Sequence, residues 1–452
     1  MIKATQVKRN DISSSSIKVW ALDFPAHDRL VNIGGSEIKI QGWVLWHVPV
    51  DYSPELVVAV DGIVIGVQTF NTMRPDVIER VMLESAAGNP QLCCGFILHM
   101  PAEKISSGFQ LGVRVGGSET WLAQVSFVEP MKVLEGSEGW LFLDNDSNHS
   151  VDQYIGQRML GTEELNLWRE YLSAVQVLAQ RTNMRHALVI APSKEEVLPH
   201  RYPFNRAQTT VLDQVCALAK PEWNVVNAAP VLAAYTSPEA CFKKTDTHWT
   251  DRGAMLAVMA VLERLELDVR KAEALFAKDV YEIRQEVGDL GCKMLPIRSA
   301  ETEFLKTPMP EQDAVFDNGL PNIGRALIFE NGLAIYPWKM VIFGASSSYP
   351  MLKYLKRLFR RLVFVHSAAQ VDKAVLLHEQ PDFLLLQSNG RFLVQPPKLS
   401  FSLTDAVFRK TAEATSAFRV KLQKYIAENN FSEKDSLYVQ MVSKALEKSI
   451  EK

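Results

Sequence analysis

Three residues in the second half of the chain, Asp246, His248 and Ser346, have the types and spacing of a nucleophilic acyl-transfer centre. In an extended Asp-x-His segment the two side chains point the same way. Asp246 can then hold Nδ1–H of His248 and leave Nε2 free to take a proton from a serine hydroxyl. The serine comes from Val341-Ile342-Phe343-Gly344-Ala345-Ser346-Ser347-Ser348-Tyr349-Pro350. There an apolar strand stops at a glycine, small residues turn, and a helix begins. That arrangement sets a hydroxyl at the C-terminal edge of a sheet, beside the free N–H groups of a helix start. Taken alone, the segment is equally an ordinary strand-to-helix loop rich in capping serines, and Asp246 a cap beside a packed histidine. Ser347 and Ser348 are nucleophile alternatives that lie further into the helix. A metal reading of Asp-x-His is weaker, because no third His or Cys stands at a familiar spacing.

The elements that must position these residues fall into two textures. Residues 1–26 read as a flexible arm, with the Ser13–Ser16 run its least ordered part. Residues 27–130 alternate at period two in short runs, and Asp61-Gly62 and Gly116-Gly117 sit where hairpin turns are needed. This predicts a β-sandwich. Pro130 closes that module. Residues 131–400 then alternate strand and helix. A broad apolar face predicts a helix over 162–181, and a further helix starts near Thr250 or Asp251. Continuous apolar runs at 186–190, 340–343 and 383–386 read as strands covered on both faces. The fold class is therefore α/β, a parallel sheet flanked by helices, preceded by a β-sandwich. Residues 401–452 read as a charged helical tail.

The order of several short motifs resembles the SGNH-like alginate O-acetyltransferase family of the AlgJ and AlgX type. The motifs are Gly139-Trp140-Leu141-Phe142, Ala191-Pro192-Ser193-Lys194, Asp246-Thr247-His248-Trp249, Gly288-Asp289-Leu290 and Gly344-Ala345-Ser346. The resemblance covers about residues 133–395 and implies an SGNH-hydrolase-like domain. In it Ser346 is the nucleophile, His248 the general base and Asp246 its orienter. Asn389 and Arg391 follow a buried strand and are candidates for contact with substrate at the sheet's C-terminal edge, or equally a loop turn with a solvated cation. Lys194 is a candidate or, more simply, a surface lysine, and Trp249 is a further candidate. Two positions depart from the pattern. Ala345 replaces a polar residue beside the nucleophile, and Gly390 stands where an acidic residue usually precedes the arginine. In the first module, Arg74-Pro75-Asp76-Val77 and Cys94-Gly95-Phe96 resemble a β-sandwich found beside glycosyltransferases that build bacterial surface glycans. That implies a glycan-binding or docking element; the alternative is a structural sandwich with Trp43, Trp46 and Trp121 as core or rim aromatics.

Composition narrows the setting. The net charge of −3 and the absence of a basic run exclude a nucleic-acid-binding surface of the usual kind. Five scattered cysteines without metal-type spacing suggest reduced thiols. With no apolar leader after Met1 and no stretch long enough to span a bilayer, the expectation is a cytoplasmic protein, membrane-associated through a partner if at all. The function expected is transfer of an acetyl group, through an acyl-serine, onto a hydroxyl of a polysaccharide or glycolipid. No bound cofactor is expected. Acetyl-CoA is the economical donor for a cytoplasmic enzyme, with a membrane acyltransferase partner as the other source, and a glycosyltransferase is a further candidate partner. An esterase with the same triad and a non-catalytic glycan-binding scaffold are the competing functions.

Overall fold

The computed structural model describes residues 4–12, 16–27, 29–49, 53–128, 132–307, 314–414 and 416–450. Ser13 to Ser15 and Pro130, which the sequence reading singles out, lie outside them. The chain forms two units, residues 1–131 with 413–425, and residues 132–412 with 426–452.

The first unit holds strands β1 (Ala4–Asp11), β2 (Ile17–Phe24), β3 (Leu30–Asn32), β4 (Glu37–Trp46), β5 (Glu55–Val60), β6 (Ile63–Thr69), β7 (Gly95–Pro101), β8 (Gly108–Val115) and β9 (Ser118–Val128). They make a six-stranded sheet in the order β3-β1-β9-β8-β5-β6 and a three-stranded sheet β2-β4-β7. One buried cluster takes side chains from both, including Val7, Ile40, Val58, Phe96, Leu111 and Val125. Asp61 and Gly62 both have positive φ, 50° and 78°, as the two-residue turn between β5 and β6 demands.

The flexible arm expected over 1–26 is corrected. β1 pairs along Gln6–Asp11 with β9, and β2 pairs with β4. β1 was invisible to periodicity because its sequence, ATQVKRND, has one large apolar residue. The two motifs that resemble a glycan-linked sandwich meet in space. Gly95 N–H donates to the Thr72 carbonyl at 2.9 Å, and a Cβ at Gly95 would lie 2.8 Å from Cγ of Arg74. Arg74 itself is engaged by Asp23 and Asp76. Trp43 and Trp46 are buried, so neither is a platform for a sugar ring.

The second unit opens with a hairpin of β10 (Val133–Glu135) and β11 (Leu141–Leu143). Its remaining strands are β12 (Arg185–Ala191), β13 (Val225–Asn227), β14 (Tyr281–Glu286), β15 (Ala300–Leu305), β16 (Phe316–Asp317), β17 (Ala326–Glu330), β18 (Tyr336–Gly344), β19 (Phe359–His366) and β20 (Phe383–Asn389). The central sheet runs β13-β12-β20-β18-β19-β17-β16. From β13 to β19 all pairings are parallel, whereas β17 is antiparallel to β19 and β16 to β17, so one edge departs from the expected parallel sheet. Residues 383–389 of β20 are all buried, which is why its first four, 383–386, read as an unbroken apolar run.

Helices α1 (Thr162–Arg181), α2 (Asp251–Arg264) and α3 (Ser348–Leu358) cover the sheet. α1 buries Trp168, Tyr171, Leu172, Val175 and Ala179, a narrower face than expected, since Leu167 and Val177 are exposed. The expected tail is in part built into this unit. Arg361 of β19 donates to Glu379 at 2.9 Å and to Asp435 at 3.0 Å, and Tyr438 donates to the same Glu379 carboxylate at 3.1 Å. All four side chains are buried, so the charges are mutually compensated rather than solvated.

Candidate active site

β18 delivers Ser346. Its last residues, 340–344, are buried, and the chain turns at Gly344 so tightly that a Cβ there would lie 2.0 Å from Oγ of Ser348. Ser348 N–H donates to the Ala345 carbonyl at 3.0 Å and Tyr349 N–H to the Ser346 carbonyl at 3.2 Å, closing the first turn of α3. Ser347 and Ser348 are buried, and the Ser348 hydroxyl donates to Oε1 of Gln387 at 2.8 Å. That leaves Ser346, half-buried, as the hydroxyl that meets a base.

The base comes from a loop pinched at its neck. Phe242 and Trp249 form a β-bridge, Thr250 N–H donates to the Cys241 carbonyl at 2.9 Å, and Lys243 N–H to the His248 carbonyl at 3.2 Å. Thr250 then caps α2 by accepting from Gly253 N–H. At the loop tip, His248 Nδ1 lies 2.6 Å from Asp246 Oδ1, and His248 Nε2 lies 2.7 Å from Ser346 Oγ. A carboxylate only accepts, so Nδ1 carries the proton and the Nε2 lone pair faces the serine O–H. Burial by itself would raise the Asp246 carboxyl. The hydrogen bond and charge of His248, with the N–H groups of Asp289 and His248, outweigh it and hold the carboxyl well below the usual range.

Gly288-Asp289 completes the pair from outside. Asp289 N–H donates to Asp246 Oδ2 at 2.9 Å, and the Asp289 carboxylate accepts from the N–H and hydroxyl of Thr247. Asp246, His248 and Asp289 together have the donor set of a metal site, with ligand atoms within 4.8 Å of one another. His248 Nδ1 and Nε2 and the carboxylate oxygens of both aspartates are already hydrogen-bonded, which fits a positioned base.

The remaining sequence candidates divide. Arg391 lines the cleft onto which Ser346 opens, a space of about 620 Å³ with Asn148, Asn322, Gln370 and Gln395 on its walls. Its guanidinium lies 3.6 Å from the Asp146 carboxylate. Lys194, Trp249 and Asn389 are corrected: none lines that cleft. The Lys194 ammonium is buried and donates to the carbonyls of Leu141, Lys243 and Lys244, tying the opening hairpin to the loop before Asp246. Trp249 is buried, and its Nε1–H donates to the Ser347 carbonyl at 2.9 Å, bracing the nucleophile turn from below. Asn389 Oδ1 accepts from Gln387 Nε2 at 2.9 Å inside the protein.

Gln387 escaped sequence reasoning. It is fully buried in β20, and its Oε1 accepts from Ala345 N–H at 2.8 Å as well as from Ser348, fixing both sides of Ser346. An amide directly after the apolar run 383–386 of a core strand was the available signal, since a buried amide must find partners.

The central sheet flanked by helices is that of an SGNH hydrolase-like domain. Residues 133–315 match the family model of the SGNH hydrolase-like domain of acetyltransferase AlgX. The match includes Asp246, His248 and Asp289 and ends before Ser346. Among solved structures, Bacillus cereus PatB1 is similar at 12% identity over 58% of this chain and 97% of its own, with a TM-score of 0.45. A DHHW family protein from Eubacterium siraeum is similar at 14% over 63% and 92%, TM-score 0.41. The O-acetyltransferase domain of Pseudomonas putida AlgJ is similar at 16% over 60% and 96%, TM-score 0.38. No curated protein matches by sequence.

The family match corrects the cytoplasmic expectation. Acetyltransferases of the AlgX and AlgJ type act on polysaccharide in the periplasm. The expectation rested on unpaired thiols and on the residues after Met1, neither of which fixes a compartment. Among the described residues no helix is long and apolar enough to cross a membrane. SGNH-like acetyltransferases need no bound cofactor as a rule.

Proposed function

We propose that the protein moves an acetyl group onto a hydroxyl of a bacterial polysaccharide through an acetyl-Ser346 intermediate. The observation that carries this reading is the hydrogen-bonded series Asp246–His248–Ser346, opening onto a cleft walled by carboxamides. In the first half-reaction His248 Nε2 takes the Ser346 proton as Oγ attacks the acetyl carbonyl. The bond to the donor's leaving oxygen or sulfur breaks, and His248 returns the proton to that group. In the second, a sugar hydroxyl attacks the acetyl-serine, His248 takes its proton, and Ser346 Oγ leaves and is reprotonated. Asp246 stays ionised and stabilises the imidazolium formed in each half. The backbone N–H of Ser346, two residues before α3, is the donor we assign to the oxyanion.

The cleft lining favours a sugar acceptor over water. Side-chain amides both donate and accept, as hydroxyl-rich ligands require, and the described lining includes Arg391 and Lys398 but no carboxylate. The expectation of acetyl-CoA as donor loses the cytoplasmic setting on which it rested, and a membrane acyltransferase partner is the donor source proposed here. The test is partition of an aryl acetate's acetyl group between water and added oligosaccharide. Acetylated sugar formed by the wild type and not by Ser346→Ala supports the transferase; release to water alone, unaffected by any glycan, makes the protein an esterase.

A further inference from the structure

Beside the nucleophile strand, β19 ends on a second histidine that the triad does not use. His366 is paired with Gly344 in the β18–β19 register, is almost entirely buried, and lines the same cleft as Ser346. Its Nδ1 lies 3.1 Å from the hydroxyl of Tyr349, on the first turn of α3. The Arg325 guanidinium lies over the Tyr349 ring, 5.5 Å from its centroid. Arg325 is itself fixed by two bonds to Asp317, at 3.2 and 2.8 Å.

The donor inventory sets the direction of this series. A phenol O–H is a stronger donor than a neutral imidazole N–H, and an imidazole nitrogen a stronger acceptor than a phenol oxygen, so the Tyr349 proton is directed at His366 Nδ1. With Nδ1 accepting, a neutral imidazole carries its proton on Nε2. Burial of the ring, and the positive charges of Arg325 and of His248 when protonated, push His366 down to about 4, so the neutral form persists at working pH. Burial also raises the Tyr349 phenol, which keeps its proton.

The geometry points to His366 as a specificity residue of the cleft: an imidazole locked by Tyr349 as the Nε2–H tautomer, which donates a hydrogen bond to an oxygen of the bound carbohydrate acceptor. An acetyl group needs little of the 620 Å³ available, whereas the stretch of wall shared by His366, Asn322, Gln370 and Gln395 suits a hydroxyl-bearing ring. A fixed donor discriminates strongly, because an acceptor lacking the matching oxygen leaves Nε2–H unpaired. The assignment of the acceptor rests on the transferase reading above; the tautomer does not.

Two measurements on the full chain test it. Long-range 1H–15N correlation, with the ring assigned by its loss in His366→Gln, is expected to show one neutral Nε2–H tautomer from pH 5.5 to 8. A Nδ1–H tautomer, or a ring that titrates in that range, overturns the proposal. In kinetics with an aryl acetate and an oligosaccharide acceptor, His366→Phe is expected to keep the acylation burst within about threefold while kcat/KM for the acceptor falls at least tenfold. His366→Gln, which restores an N–H at the Nε2 position, is expected to recover most of that loss. A lost burst places His366 in acylation instead, and an unchanged acceptor kcat/KM removes it from the cleft's function; either overturns the assignment. Absence of transfer in the wild type would sink the transferase reading, and with it the acceptor contact, while the tautomer result would stand separately.

Discussion

The backbone N–H of Asp289 donates to Oδ2 of Asp246 at 2.9 Å, while the other oxygen of that carboxylate meets His248. The approach is close enough that a Cβ at Gly288 would lie 2.2 Å from the Thr245 carbonyl and 2.5 Å from Cβ of Asp246. Backbone cannot yield by that much without moving Asp246. Gly288→Ala is therefore expected to lower the rate of acylation by about 10²-fold, as misplacement of a catalytic group does. Burst kinetics with an aryl acetate reads this directly, and near-wild-type acylation would show that the 288–291 segment does not position the pair.

Gln387 offers a separable test of the nucleophile turn. Gln387→Leu leaves Ala345 N–H and the Ser348 hydroxyl unpartnered in a buried place, an expected cost of about 2–6 kcal/mol at one to three per group. Denaturant unfolding measures that loss. Acylation is expected to fall with it, because Ser346 lies between the two anchored residues.

Lys194 distinguishes a structural cation from a substrate contact. Lys194→Met keeps the stem but strips the carbonyls of Leu141, Lys243 and Lys244 of a donor. The midpoint of unfolding is expected to drop by the equivalent of roughly 2–4 kcal/mol. The acceptor KM of the remaining activity should stay within about twofold, and a large rise in KM with unchanged stability would return Lys194 to the binding surface.

Glu195 predicts a pH dependence of stability. It is buried next to Lys194, and burial pushes its carboxyl up to about 7. A folded-state value above the unfolded one means that the folded protein binds the extra proton. Stability from this group is present below about 4.5 and is lost as pH rises towards 7. The shift corresponds to a loss on the order of 3 kcal/mol. Asp246 acts with the opposite sign in a lower window: its depressed carboxyl stabilises above the unfolded value near 3.8 and ceases to as pH falls below it. Thermal unfolding of wild type and Glu195→Gln from pH 4.5 to 8 is expected to diverge progressively, with the variant flatter. Parallel curves would refute it.

The meeting of Asp246, His248 and Ser346 was legible because Asp-x-His and Gly-Ala-Ser each make a local geometric statement, between strand runs that are unambiguous. β18, β19 and β20 were legible since strands buried on both faces cannot hide their composition. β1 was not, because an edge-side strand of Thr, Gln, Lys and Asn gets its order from pairing with β9, a contact more than 110 residues away that no local pattern encodes. The mistaken roles of Lys194 and Asn389 share one cause. A polar residue just past a strand end faces either the cleft or a neighbouring carbonyl, and only the packing of β11 and Gln387 decides which. His366 was missed for the converse reason, since an apolar strand ending in histidine is the same whether the ring is core or cleft wall.

The most direct measurement is the intact mass of the protein after brief exposure to an aryl acetate, quenched in acid and followed by peptide mapping. The account predicts one added acetyl group per chain on the peptide that contains Ser346. The adduct should be absent in Ser346→Ala and, because the base is lost, nearly absent in His248→Ala. Acetylation that persists in Ser346→Ala, or that maps to Ser347, Ser348 or a lysine, would contradict the assignment of Ser346 as the nucleophile.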